Sequence, residues 1–243
     1  MSKLGKTNAE FGLIEEGDSI LVALSGGKDS LTMLHALKEQ QRRAPFKFGL
    51  IAVTVTYGMG ENYEKLQAHC NEYGIEHEIY NTNIYDIAED KIRKNSSFCS
   101  FFSRMRRGSL YSAAEKFGCN KVALGHHMDD AAESFFMNFI YNGQLRSLAP
   151  KYRADRGIVV IRPLIQMRER QLEAFVREND IETIGDEACP SMRFDIKMPY
   201  ARANTKKLLA NMEKEFPNLF VSLNAAFKNI SIESFFDEKS FKV

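Results

Sequence analysis

The feature that most constrains this chain is the hexapeptide Ser25-Gly26-Gly27-Lys28-Asp29-Ser30, set between an apolar run and an amphipathic one. Ile20 to Leu24 is continuously apolar, the pattern of a strand buried on both faces, and Gly17-Asp18 bounds it upstream. Leu31, Leu34 and Leu37 then recur at helical spacing, with Asp29 and Ser30 placed to cap the first turn. A strand ending in two glycines that open a helix aims backbone N–H groups, and the positive end of the helix dipole, at one point. An anion belongs there. Gly26 and Gly27 let the backbone approach it, Ser25 and Ser30 offer hydroxyls, and Lys28 offers a charge.

The pattern repeats along the chain. Residues 1 to 17 read as a helical or irregular lead-in, and residues 48 to 55 as a second buried strand running into a turn at Tyr57-Gly58-Met59-Gly60. A helix over 61–73, a strand over 76–80 and a short helix over 84–93 follow, then a polar loop from Asn95 to Ser103 and a helix from Ser103 to Phe117. Lys121 to Gly125 is a fourth strand, after which His126-His127-Met128-Asp129-Asp130 opens another helix. Residues 158 to 161 make a fifth strand and 168 to 179 a further helix. Strands separated by helices imply an α/β fold, a doubly wound, parallel five-stranded sheet of Rossmann-like type. Such sheets bind ligands beyond the carboxyl ends of their strands, where the hexapeptide, the Tyr57 turn and the Gly125-His126 turn all fall. Residues 1–180 form the sheet domain; 181–243 hold a cysteine-bearing loop over 185–204 and a small helical appendage, with helices over 205–215 and 217–229.

The spacing excludes the two common nucleotide loops, because neither G-x-x-x-x-G-K-[ST] nor G-x-G-x-x-G is present. No apolar stretch approaches the roughly 20 residues of a membrane span, and no signal peptide is visible, so a cytoplasmic protein is expected. Cys70, Cys99, Cys119 and Cys189 are scattered without a CxxC pair, which argues against a disulfide scaffold. Cys70 and Cys119 sit beside apolar neighbours and read as structural. Cys99 precedes Arg104, Arg106 and Arg107, and positive charge near a helix start makes a thiol more acidic and more reactive. Net charge is only +1. Distribution matters more: the arginine triplet and the series Lys151, Arg153, Arg156, Arg162, Arg168 and Arg170 are either solvated faces or a nucleic-acid footprint. The pair Asp129-Asp130 can hold magnesium or orient a nucleophile near phosphate, or can simply cap a helix. His126 and His127 can transfer a proton, touch a phosphate, or serve as turn histidines.

SGGKDS resembles the pyrophosphate loop of the N-type ATP pyrophosphatases. Taken with Cys99 to Gly108 (Cys-Ser-Phe-Phe-Ser-Arg-Met-Arg-Arg-Gly), Ala123 to Asp130, Asn142-Gly143, Pro150-Lys151 and Ile161 to Leu164, the chain resembles the tRNA 2-thiocytidine synthetase family over most of its length. The resemblance implies an adenine nucleotide alpha hydrolase-like fold and a thiolation of an anticodon-loop cytidine in tRNA, with ATP and Mg2+ used to adenylate the C2 oxygen. It implies ATP contacts from Ser25, Gly26, Gly27, Lys28, Asp29, Ser30, Gly125, His126 and His127, and catalytic roles for Asp129, Asp130, Cys99 and Cys189, with Asp129 a magnesium ligand. It implies tRNA contacts from Arg104, Arg106, Arg107, Lys151 and Arg162. A sulfur donor such as a cysteine desulfurase is an implied partner, and a homodimer a possible one. In that family a C-x-x-C and one later cysteine hold a 4Fe-4S cluster. Cys99 and Cys189 match the first and third positions, but Phe102 stands at the second and cannot ligate iron, so the usual cluster is not expected to be held. Two other readings stay open: a base-adenylating enzyme with an amine nucleophile, and a nucleotide-binding module without sulfur chemistry.

Overall fold

A computed structural model of the protein describes residues 2–87, 98–183 and 200–235. The hydrophobic runs become strands β1 (Ser19–Ala23), β2 (Gly49–Val55), β3 (His77–Tyr80), β4 (Lys121–Ala123), β5 (Lys151–Arg153) and β6 (Val159–Ile161), in the spatial order β3-β2-β1-β4-β6-β5. The five strands anticipated from apolar patterning all pair in parallel. β5 is an addition: it pairs antiparallel with β6 at the edge, Tyr152 opposite Val160. Its sequence, Lys-Tyr-Arg with only Tyr152 half-buried, is that of a solvated edge strand, which carries little apolar signal.

The helices are α1 (Ser2–Phe11), α2 (Lys28–Arg43), α3 (Glu64–Glu72), α4 (Phe98–Lys116), α5 (Met128–Asn142), α6 (Glu169–Glu178), α7 (Tyr200–Glu215) and α8 (Leu219–Ala226). Residues 84–87 are also helical; the rest of the short helix expected over 84–93 lies outside the described residues, as does the loop 185–199 with Cys189. Two expected boundaries move. α4 starts at Phe98 rather than Ser103, so Cys99 stands on a helical first turn and not in a loop. Phe101, Phe102 and Met105 supply the apolar stripe that extends it. Likewise α7 begins at Tyr200, within the stretch read as loop.

The switch point of the sheet lies between β1 and β4, whose chains leave in opposite directions. One face is covered by α2 and neighbours, with Val22, Leu24, Leu34, Leu37, Ala52 and Leu172 in its core; the other buries Leu21, Val53, Phe102, Leu110, Ala113 and Val122. Cys70 and Cys119 are buried, as their apolar neighbours suggested, and burial pushes the Cys70 thiol up to about 11. The chain packs into two compact units, one drawn from Met1–Ala131 and Leu148–Met198, the other from Ala132–Ser147 and Pro199–Val243. In the smaller unit Phe135 packs edge-on against Phe227, and Arg202 donates to Glu133 at 2.9 Å. No helix among the described residues is long and apolar enough to cross a membrane.

Candidate active site

β1 delivers its last residues to the hexapeptide, where Gly26 adopts φ +85°, a left-handed conformation that favours glycine. Gly27 is the extended N-cap of α2 (φ −74°, ψ 161°), and Leu31 N–H makes the first helical bond to its carbonyl at 3.1 Å. The N–H groups of residues 28 to 30 precede that bond and so have no partner within the helix. The Ser30 hydroxyl donates to Gly27 O at 3.0 Å and accepts from Ser25 N–H at 3.2 Å, with Ser25 Oγ 3.1 Å away. This stitching closes the turn and leaves a preformed anion cradle at the helix end.

The turn after β4 packs directly on this loop. A Cβ on Gly125 would stand 3.3 Å from the carbonyl carbon and oxygen of Asp29 and from Ser30 N, all backbone atoms. Gly125→Val is therefore expected to push the two turns apart and weaken nucleotide binding at least tenfold, measured by calorimetric titration with ATP. Unchanged affinity would show the contact to be dispensable.

Behind the loop lies a network of carboxylates around one imidazole. His127 is 4% exposed; its Nδ1 is 3.5 Å from Asp129 Oδ2, and its Nε2 is 3.4 Å from Asp130 Oδ2 and 3.9 Å from Asp29 Oδ2. Burial pulls the imidazole toward neutrality, but Asp129, Asp130 and Asp29 together outweigh it and raise its pKa above the ordinary 6.5. A raised native pKa stabilises the fold fully below the ordinary value, and that stabilisation is lost as pH rises through the raised one. Wild type should thus lose thermal stability relative to His127→Gln between about pH 6 and pH 8; parallel melting curves across that window would overturn the assignment. Asp129 acts with the opposite sign: burial would raise its pKa, yet His127, Glu169 N–H and Arg168 depress it to about 2, so its contribution holds above the ordinary 3.8 and fails in acid.

The two aspartates expected near phosphate differ. Both Asp129 oxygens are engaged: Arg168 Nε donates at 3.0 and 3.2 Å, a second Arg168 nitrogen stands at 3.0 Å, and Glu169 N–H donates to Oδ2 at 2.7 Å. Asp130 Oδ2 caps its own helix by accepting His127 N–H at 3.0 Å. The open oxygen belongs to Asp29, whose Oδ1 is buried without a hydrogen-bond partner among the described residues, the Lys28 ammonium standing 3.5 Å away. Burial is the main cause that raises the Asp29 pKa. A buried, underpaired carboxylate oxygen beside a phosphate cradle fits Mg2+, a hard cation that prefers oxygen ligands; the fully bonded Asp129 does not. Of the two, Asp29 has the less engaged carboxylate.

Lys28 reaches Glu169 Oε1 at 3.0 Å. Arg168 and Glu169 are the residues that sequence reasoning missed as site residues: Arg168 counted only within a basic series and Glu169 was not singled out. The available signal was their place at the start of a helix following a strand on the ligand edge, Arg168 N–H capped by Gln171 Oε1 at 3.1 Å.

The basic candidates separate by exposure. Arg104 and Arg107 are exposed; Arg106 is half-buried, donates to the Tyr57 hydroxyl at 3.3 Å and stands 5.9 Å from that ring's centre. Lys151 is exposed and bonds Gly12 O. Arg162 is 6% exposed, with Nε 3.3 Å from His126 Nδ1, a second bond to Ala149 O, and its guanidinium 5.1 Å from the Tyr152 ring centre. It braces β5 and the Gly125-His126 turn and presents little surface to a polyanion. Phe102 is 6% exposed, its ring 5.9 Å from that of Tyr57. Phenylalanine carries no iron ligand, so this position offers no second thiolate of a C-x-x-C. Among the described residues no group of three or more His, Cys, Asp or Glu is arranged to hold a metal.

With this geometry in place, comparison with known proteins is informative. A PP-loop domain family matches residues 2–200. Over 242 residues the chain is 41% identical to a tRNA-cytidine(32) 2-sulfurtransferase of Geobacter metallireducens, covering 99% of this chain and 93% of that one. The Pseudomonas syringae pv. syringae protein of the same name is 38% identical over 98% of this chain and 85% of its own length. Among solved structures, the U34-tRNA thiolase NcsA of Methanococcus maripaludis, with its [4Fe-4S] cluster, superposes with a TM-score of 0.75 at 24% identity, over 100% of this chain and 84% of that one. At that identity the likeness shows the fold alone.

Proposed function

The chain belongs to the PP-loop family and, within it, to the tRNA-cytidine(32) 2-sulfurtransferases, and we infer from that premise that it uses ATP to replace the C2 oxygen of cytidine 32 in tRNA with sulfur. The observation that carries the reading is the stitched Gly26-Gly27 turn, an anion cradle with the open Asp29 oxygen beside it.

In the activation half, the C2 oxygen of the base attacks the α-phosphorus of ATP, pyrophosphate leaves, and an O-adenylated base forms. The chain's part is to hold the leaving group: N–H groups at the start of α2 and the Lys28 ammonium balance the charge that accumulates on it, while the Ser25 and Ser30 hydroxyls keep the turn closed. Mg2+, when bound, neutralises phosphate charge, and Asp29 is the residue to hold it. His127, packed among Asp129, Asp130 and Asp29, keeps the turn after β4 in place against the loop.

In the second half a sulfur nucleophile attacks C2 and AMP departs. Because Phe102 does not complete a cluster site, the sulfur rides as a persulfide on Cys99. Its terminal sulfur bonds to C2, giving a mixed disulfide between base and enzyme. The Cys189 thiolate then attacks Cys99 Sγ, releasing the thiolated base and leaving a Cys99–Cys189 disulfide for a thiol reductant to open. A sulfur donor such as a cysteine desulfurase reloads Cys99. Exposed Arg104 and Arg107 are the cations best placed to meet tRNA phosphates, and the protein works in the cytoplasm. Pairing with a second copy is checked by sedimentation equilibrium, where a dimer shows twice the chain mass.

The test of the whole reading is nucleoside analysis of tRNA from a strain lacking the protein. The 2-thiolated cytidine should vanish and return on complementation; persistence of every thiolated base would sink it. An amine nucleophile instead of sulfur would leave Cys99→Ser active.

A further inference from the structure

Glu169 touches both halves of the phosphate site. Its backbone N–H donates to Asp129 at 2.7 Å, anchoring the start of α6 to the turn after β4, while its carboxylate takes Lys28 of the hexapeptide at 3.0 Å. Lys28 and Glu169 are partly buried, with 31% and 23% of their side chains exposed, so neither is a long surface chain free to swing widely. Among the described residues, the other charged groups facing the ammonium are Asp29, at 3.5 Å, and Glu173, one turn further along α6. All three are acidic. The cation of the hexapeptide is thus neutralised from the side of α6.

We propose that Glu169 is a positioning residue for Lys28: it holds the ammonium against the start of α6 in the absence of nucleotide and yields it to the phosphate oxygens, so that binding is an exchange of counter-ions rather than the addition of one. Two consequences follow from electrostatics alone. While paired, Lys28 contributes less attraction to an incoming anion than its charge implies, because a carboxylate at hydrogen-bond distance cancels most of it. After pyrophosphate is formed, the displaced Glu169 competes for Lys28 again and favours its release. The proposal rests on the ATP-dependent reading above and concerns only how the leaving group is held.

The test is calorimetric titration of the full chain with inorganic pyrophosphate in the presence of Mg2+. Glu169→Gln keeps the side-chain length and the backbone N–H while removing the charge, and it should bind pyrophosphate roughly three- to fivefold tighter, the scale of a partly exposed ion pair. Glu169→Ala should shift the same way, which guards against an effect peculiar to the amide. Lys28→Met should bind weakly, and the double variant Lys28→Met/Glu169→Gln should match Lys28→Met, since without the lysine there is nothing to release. A purely structural role for Glu169 would weaken binding instead, and that result overturns the proposal. So does a gain that survives in the double variant, which would mark simple repulsion between Glu169 and the anion. Failure of the wild-type chain to bind ATP or pyrophosphate at all would count against the functional reading itself, a distinguishable outcome.

Discussion

Asp29→Asn is expected to slow pyrophosphate release from ATP by about a hundredfold or more while leaving the fold intact. The reasoning starts from Oδ1, which is buried and lacks a hydrogen-bond partner among the described residues. A buried carboxylate oxygen left that way is costly, and its cost is offset when a cation arrives. Asparagine keeps the shape and removes the charge, so the ground-state structure changes little and the ion loses its anionic ligand. Asp129 makes the informative contrast. Its carboxylate already answers Arg168 and Glu169 N–H, so Asp129→Asn should act on stability, by weakening the ion pair and hydrogen bonds that tie the start of α6 to the turn after β4, more than on the Mg2+ requirement. Single-turnover assays of pyrophosphate release across a Mg2+ titration separate the two. An Asp29→Asn enzyme with wild-type Mg2+ dependence would remove Asp29 as the ligand. Burial also raises the Asp29 pKa, so protons compete with the metal more than at an ordinary carboxylate, and the Mg2+ requirement should climb as pH falls.

Much of this arrangement was legible in the residues because the parallel strands bury both faces. Runs such as Ile20–Leu24 and Ile51–Val55 can only be central strands in a domain of this size, and the glycines that follow them punctuate the ligand edge. β5 escaped notice because an edge strand of Lys-Tyr-Arg has no apolar pattern to show. The early start of α4 escaped because small polar residues around Cys99 look like a loop until Phe101, Phe102 and Met105 are seen to share a buried face. The site divided in the same way. Which loop holds an anion followed from local sequence, since helix ends and glycine turns are local structures. That Asp129 is engaged while an Asp29 oxygen is left open did not, because Arg168 and Glu169 lie about 40 residues beyond Asp129 and about 140 beyond Asp29 and arrive only through tertiary packing. Arg162 shows the converse: a cation next to a proline reads as surface until Tyr152 and Ala149 O cover it.

The second large effect concerns Phe102. Truncation to alanine should cost about 3–5 kcal/mol of stability, and replacement by cysteine somewhat less, for the ring is 6% exposed and packs edge-on against Tyr57 within the core beneath α4. A loss of that size lowers the melting temperature of a chain this long by roughly 6–20 °C, a shift that differential scanning calorimetry reads directly; a melting point within a degree or two of wild type would show the ring to be peripheral. The consequence reaches past stability. Positions 99 and 102, three apart on α4, share a helical face, so the family's paired cysteines would stand side by side here. In this chain the second of those positions has been given to packing. Anaerobically reconstituted wild-type protein should therefore hold well under one cluster per chain by iron analysis and lack the brown cluster absorbance, while still releasing pyrophosphate from ATP when tRNA is supplied. A full complement of iron would overturn the persulfide route, and would require ligands from outside the Cys99–Phe102 pair. The activation chemistry would survive even so, because Gly26, Gly27 and Asp29 stand on the switch point of the sheet and owe nothing to the thiols.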